Sequence, residues 1–164
     1  MAERQLDDHA VARWLAAATP VPRLASADWA RDDLALLPTG VRFDVVVVPG
    51  AEVRAVSRTD QPRLLDRHLS RVLKRGPVFC YDSYDSYDSY DAVVPDGTAR
   101  NWPIQDAPCL GLGQTTAVPR PGLTRKEGGR AFWVVPMISA AVLCQPRTVA
   151  NLILAGRRSG ATCG

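Results

Sequence analysis

Four consecutive valines at 45–48, led in by Phe43-Asp44 and closed by Pro49-Gly50, constrain this chain more than any other segment. A short run of β-branched residues bounded by turn formers reads as a strand buried on both faces, because no alternate position is polar. Such a strand needs cover on each side. It therefore predicts the centre of a sheet with helices packed on it.

The flanking sequence supplies those helices. Val11, Trp14, Leu15 and Ala18 fall at i, i+3, i+4 and i+7, predicting a helix over 7–18 that Asp7 or Asp8 caps and Pro20 and Pro22 stop. A shorter helix is expected over 26–32, anchored by Trp29, and a strand at 34–37 before Pro38-Thr39-Gly40. After the valines, 51–57 predicts a helical turn. Asp60 then caps a helix running to Lys74, with Leu65, Leu69, Val72 and Leu73 as its apolar face and Gly76-Pro77 as its stop. A strand at 77–81 completes the order of a crossover unit.

The second half changes character. Short apolar runs at 92–94, 114–118 and 131–135 each end at a proline, which predicts strands joined by loops in an antiparallel part of the sheet. Residues 121–129 read as an exposed, mobile loop. A last helix is expected over 146–155, ended by Gly156, with a frayed tail over 159–164. The fold expectation is α+β: a mixed central sheet with helices packed on it, in a single domain over 1–158. At 164 residues and 46% apolar, the chain can build such a core without disulfide staples.

Residues 81–91 read Tyr-Asp-Ser three times and then Tyr-Asp. A period of three matches neither a strand nor a helix, so the run is expected to be a low-complexity loop inside the domain. Its aspartates lack the spacing, glycine and final glutamate of a calcium loop.

The chemistry-bearing residues are sparse. Cys80, Cys109, Cys144 and Cys163 are far apart, so no CxxC knuckle exists, and no metal site or cofactor is expected. The N-terminus is charged where a signal peptide is apolar, and no run nears the roughly 18 apolar residues that cross a bilayer. A cytoplasmic protein with reduced thiols and no membrane contact is the expectation. The formal charge is +3, and all but Lys74 and Lys126 of the 20 basic residues are arginine. That skew, with abundant Ala, Val and Pro, reads as the mark of a GC-rich genome.

Asp44 is the acid best placed for catalysis, at the end of the central strand. Two-metal chemistry wants a second carboxylate two residues on, where the chain has Val46. The plainer role for Asp44 is a hydrogen bond to a nearby turn. A fallback catalytic set combines Asp44, Asp91 and His68. Gly111-Leu112-Gly113 lacks the lysine of a phosphate loop and precedes a strand, so a tight turn is expected there. A nucleic-acid surface is expected from Arg120, Arg125, Lys126 and Arg130 with Trp102, joining phosphate neutralisation to base stacking.

Several phrases together carry a family resemblance. They are Leu36-Leu37-Pro38-Thr39-Gly40, Phe43-Asp44-Val45-Val46-Val47-Val48-Pro49, Gly76-Pro77-Val78, Val93-Val94-Pro95-Asp96-Gly97-Thr98, Cys109-Leu110-Gly111-Leu112-Gly113 and Trp133-Val134-Val135-Pro136. In these the chain resembles short actinobacterial proteins that are similar to the N-terminal domain of bifunctional primase–polymerases. The resemblance implies a primase–polymerase-like α+β fold. It also implies a lost catalytic motif, since active members carry paired strand acids and a later histidine that 92–94 does not supply. The function expected is a non-catalytic binding or accessory domain for nucleic acid or nucleotide. A second reading is a protein–protein regulatory module using the repeat or the terminal helix, and a third is an enzyme built around Asp44.

Overall fold

The computed structural model describes residues 2–82 and 89–161. Five α-helices cover Ala2–Ala16 (α1), Pro22–Asp32 (α2), Gly50–Ser57 (α3), Pro62–Val72 (α4) and Pro146–Ala161 (α5). Seven strands cover Leu34–Pro38 (β1), Phe43–Pro49 (β2), Val78–Tyr81 (β3), Ser89–Pro95 (β4), Cys109–Leu110 (β5), Thr115–Pro119 (β6) and Ala131–Val135 (β7). A 3-10 turn spans Thr98–Asn101.

The valine run forms β2, which is not the centre of the sheet as expected but second in a five-stranded order β5-β2-β4-β3-β7, with β4 at the centre. Its side chains alternate between two cores. Val46 and Val48 join Leu65, Leu69, Val149 and Ile153 beneath α3, α4 and α5. Phe43 and Val45 join Val11, Leu15, Trp29 and Trp133 beneath α1, α2 and a separate β1–β6 ribbon. Cover on both faces explains why every residue of this strand except Asp44 is apolar. Each buried valine contributes about 1.5–3 kcal/mol against exposure. Buried indoles keep their N–H groups paired: Trp29 donates to the Val118 carbonyl at 2.9 Å and Trp133 to that of Pro119 at 3.2 Å.

Several expectations are corrected. The sheet is not mixed, since its ladders all pair antiparallel. The crossover from β2 to β3 does not join neighbours, because β4 lies between them and leaves the two running in the same direction. The strand at Leu34–Pro38 pairs with β6 in the ribbon, outside the main sheet. The first two helices begin earlier than their apolar stripes suggest, at Ala2 and Pro22. The turn expected at 51–57 is a helix from Gly50, and α4 starts at Pro62 with Gln61 as N-cap in place of Asp60.

The repeat is not wholly a loop. Tyr81 closes β3, and Ser89, Tyr90 and Asp91 open β4, while 83–88 lie outside the described residues. The segment expected to be mobile at 121–129 is anchored instead: Leu123 is buried, and its carbonyl accepts the Trp133 N–H at 2.8 Å.

Gly156 does not end the last helix. It lies inside α5 at the crossing with α3, where an added Cβ would sit 2.5 Å from the Glu52 carbonyl oxygen. The helix needs glycine there for close approach and runs on to Ala161, so 159–161 are helical and not a frayed tail. Residues 162–164 lie outside the described set. Gly40 has a related role at φ +87°, where a side chain would run into the Leu112 backbone. Among the described residues no helix is long and apolar enough to cross a membrane.

Candidate functional site

Asp44 is fully buried, and its Oδ2 accepts the Ala99 N–H at 2.9 Å, pinning the 3-10 turn that follows β4. Its Oδ1 is buried without a hydrogen-bond partner among the described residues. Phe43 and Val45 on either side belong to the α1–α2 core, so Asp44 faces the same way as Val46. Grease fills the position where a second metal-holding oxygen would stand.

Asp91 is also buried, 4% exposed, but faces the other way, since Tyr90 and Ala92 beside it belong to the α3–α5 core. Burial pushes its carboxyl up to about 7. On the neighbouring strand, the Tyr81 hydroxyl donates to the Ala117 carbonyl at 2.6 Å and lies 3.3 Å from Thr116 Oγ1. Burial raises that phenol too, and the Asp91 charge adds to the effect.

His68 stands on α4, its Nδ1 3.4 Å from an Arg71 nitrogen. Burial first, and the Arg71 charge second, lower its pKa. The fallback set Asp44, Asp91 and His68 therefore does not converge. Among the described residues no three His, Cys, Asp or Glu side chains come together as metal ligands. The thiols of Cys80, Cys109 and Cys144 are pushed up to about 12 by burial, which removes them as nucleophiles at neutral pH. Gly111-Leu112-Gly113 is a tight turn, with the Gly111 N–H taken by the Gln114 side chain at 2.9 Å.

The expected nucleic-acid set is dispersed. Arg120 pairs with Asp33 at 2.8 Å on the α2 side of the molecule. Arg125 forms a two-pronged bridge to Asp66 at 2.8 and 2.9 Å and lies 4.7 Å over the Phe132 ring, on the α4 side. Lys126 lines a cleft of about 760 Å³ shared with Glu3, Asp7, Asp8 and Glu127. The half-buried Trp102 spends its indole N–H on the Ala107 carbonyl at 2.7 Å and packs against the α3–α5 core. Arg130 is exposed just ahead of β7.

A different basic surface is present on α4. Leu65 and Leu69 turn inward, and the opposite side carries exposed Arg67 and Arg71. Two adjoining clefts share these arginines. One, about 610 Å³, is completed by Ser57, Arg58, Thr59, Leu64 and His68; the other, about 540 Å³, by Ser70, Lys74 and Arg75. No Asp or Glu lines either cleft. Among the described residues Arg58, Arg67, Arg71, Lys74 and Arg75 have no carboxylate partner. Three of the five sit in left-handed backbone, Arg58 at φ 55°, Lys74 at 51° and Arg75 at 63°, a conformation that disfavours residues with a Cβ.

The signal is present in the sequence: Arg63, Arg67, Arg71 and Arg75 recur every four residues, a helical spacing like that of Leu65 and Leu69. Arg58 could not be added that way, because the bend between α3 and α4 brings it in.

No family model, curated protein or solved structure matches this chain.

Proposed function

We propose that this chain is a non-catalytic, nucleic-acid-binding accessory domain whose interface is the basic face of α4. The observation that carries the reading is the group of five cations around Arg67 and Arg71 with no acid lining their clefts. Unneutralised cations on one face attract a polyanion, and each phosphate they neutralise releases condensed counterions. A net charge of only +3 does not oppose this, because charge held on one face acts locally. The buried acids serve the fold in this reading: Asp44 holds a turn, and Asp91 sits inside the sheet.

A primase–polymerase-like ancestry and a cytoplasmic setting accompany the proposal, supported by the sequence phrases and by three free, reduced cysteines. Partner binding through the terminal helix is not favoured, since Val149, Leu152, Ile153 and Gly156 are buried in the core.

Fluorescence anisotropy with labelled oligonucleotides at low salt tests the reading. Binding should weaken steeply as salt rises and should fall on Arg67→Gln with Arg71→Gln. Absence of any binding at low salt removes the proposal.

A further inference from the structure

Resting on that reading, we infer that the α4 face takes a double-stranded nucleic-acid segment through its phosphates, and not a single strand through its bases. Arg67 and Arg71 line both shallow clefts, with Arg58 in one and Lys74 and Arg75 in the other. Five cations grouped in this way match a lattice of closely spaced negative charges. Duplex DNA supplies one charge per roughly 1.7 Å of axis, twice the density of one strand.

The polar groups in the first cleft are donors. The Thr59 hydroxyl oxygen accepts the Gln61 N–H at 3.1 Å, which leaves its own proton to donate. Arg71 has no acceptor, so its contact with His68 Nδ1 puts the imidazole proton on Nε2. That Nε2 is buried, without a partner among the described residues, so the imidazole adds no donor to the open cleft. The guanidinium and hydroxyl donors that remain fit phosphate oxygens.

Stacking platforms are missing from this face. No Phe, Tyr or Trp lines either cleft. Trp29 and Trp133 are buried at 4% and 2% exposure, and Trp102 is committed to Ala107. Proteins that hold single strands combine basic grooves with exposed aromatic rings, and only the first half of that pair is here. An anionic membrane fits less well, because Leu65 and Leu69 are buried in the core and the single exposed leucine of α4, Leu64, makes no apolar stripe to insert.

The test compares the intact chain against one labelled sequence as duplex and as single strand, with phosphatidylserine vesicles in a parallel sedimentation assay. The duplex should bind several-fold more tightly at equal salt. Its log affinity should fall with log salt at a slope of about −4.5, as five neutralised phosphates imply. Arg67→Gln with Arg71→Gln should cost about tenfold or more in duplex affinity, with circular dichroism and Tm unchanged. A single strand bound as tightly as the duplex overturns this inference and leaves the nucleic-acid reading standing. No binding of either form at low salt, or vesicle binding alone, overturns both.

Discussion

Asp44 and Asp91 face opposite sides of one sheet, although their strands are hydrogen-bonded neighbours. The register pairs Asp44 with Val94 and Asp91 with Val47, so the two acids are three positions apart along the ladder. With a side-chain period of two, an odd offset sends them into different cores. Two carboxylates close in the register are thereby kept from sharing a ligand.

Asp91 should make stability depend on pH. Its folded pKa, about 7, lies above the unfolded value near 3.8, so the native state binds the proton more tightly. Stability is then full below about pH 4, declines as pH rises toward 7, and levels off above it. The loss is on the order of 4 kcal/mol at roughly 1.4 kcal/mol per pKa unit. Asp91→Asn should flatten this decline and be the more stable protein at pH 8 in urea melts. An unchanged pH slope in the variant would count against the assignment.

Asp44 should behave as a structural acceptor. Asp44→Ala leaves the Ala99 N–H without its partner and should cost about 1–3 kcal/mol. Asp44→Asn retains an acceptor oxygen and should lose much less. If both substitutions cost equally in chemical denaturation, the hydrogen bond to Ala99 is not what Asp44 contributes.

Two glycines of α5 should respond with opposite signs to alanine. At Gly156 the added methyl meets the Glu52 backbone, which cannot swing aside, and about 1–3 kcal/mol should be lost. At Gly160 nothing lies within 4 Å, and alanine should gain up to about 1 kcal/mol from helix propensity. Thermal melts of the two variants should move apart, with Gly156→Ala falling and Gly160→Ala rising or holding.

Arg125 and Arg71 should separate folding from binding. Arg125 is engaged with Asp66 and Phe132, so Arg125→Gln should lower stability by about 1–2 kcal/mol and leave oligonucleotide affinity unchanged. Arg71 is exposed without a carboxylate partner, so Arg71→Gln should do the reverse. Paired denaturation and anisotropy measurements on each variant distinguish the two roles.

By itself, the sequence determined that the valine run is a strand buried on both faces, the inward stripes of α1, α4 and α5, and the isolation of Asp44 on its strand. These follow from local periodicity and from which residue types stand side by side. The tertiary structure alone decided which strands are neighbours, since β4 enters between β2 and β3 from elsewhere in the chain. It also decided that Gly156 is a helix crossing and not a helix end, because the group that demands glycine belongs to Glu52. The basic surface divides the same way. The four-residue spacing of Arg63, Arg67, Arg71 and Arg75 is local, whereas the arrival of Arg58 and the capture of Arg125 by Asp66 depend on segments meeting in space. A cation's availability is set by the partners the fold gives it, and linear sequence carries no record of those distances.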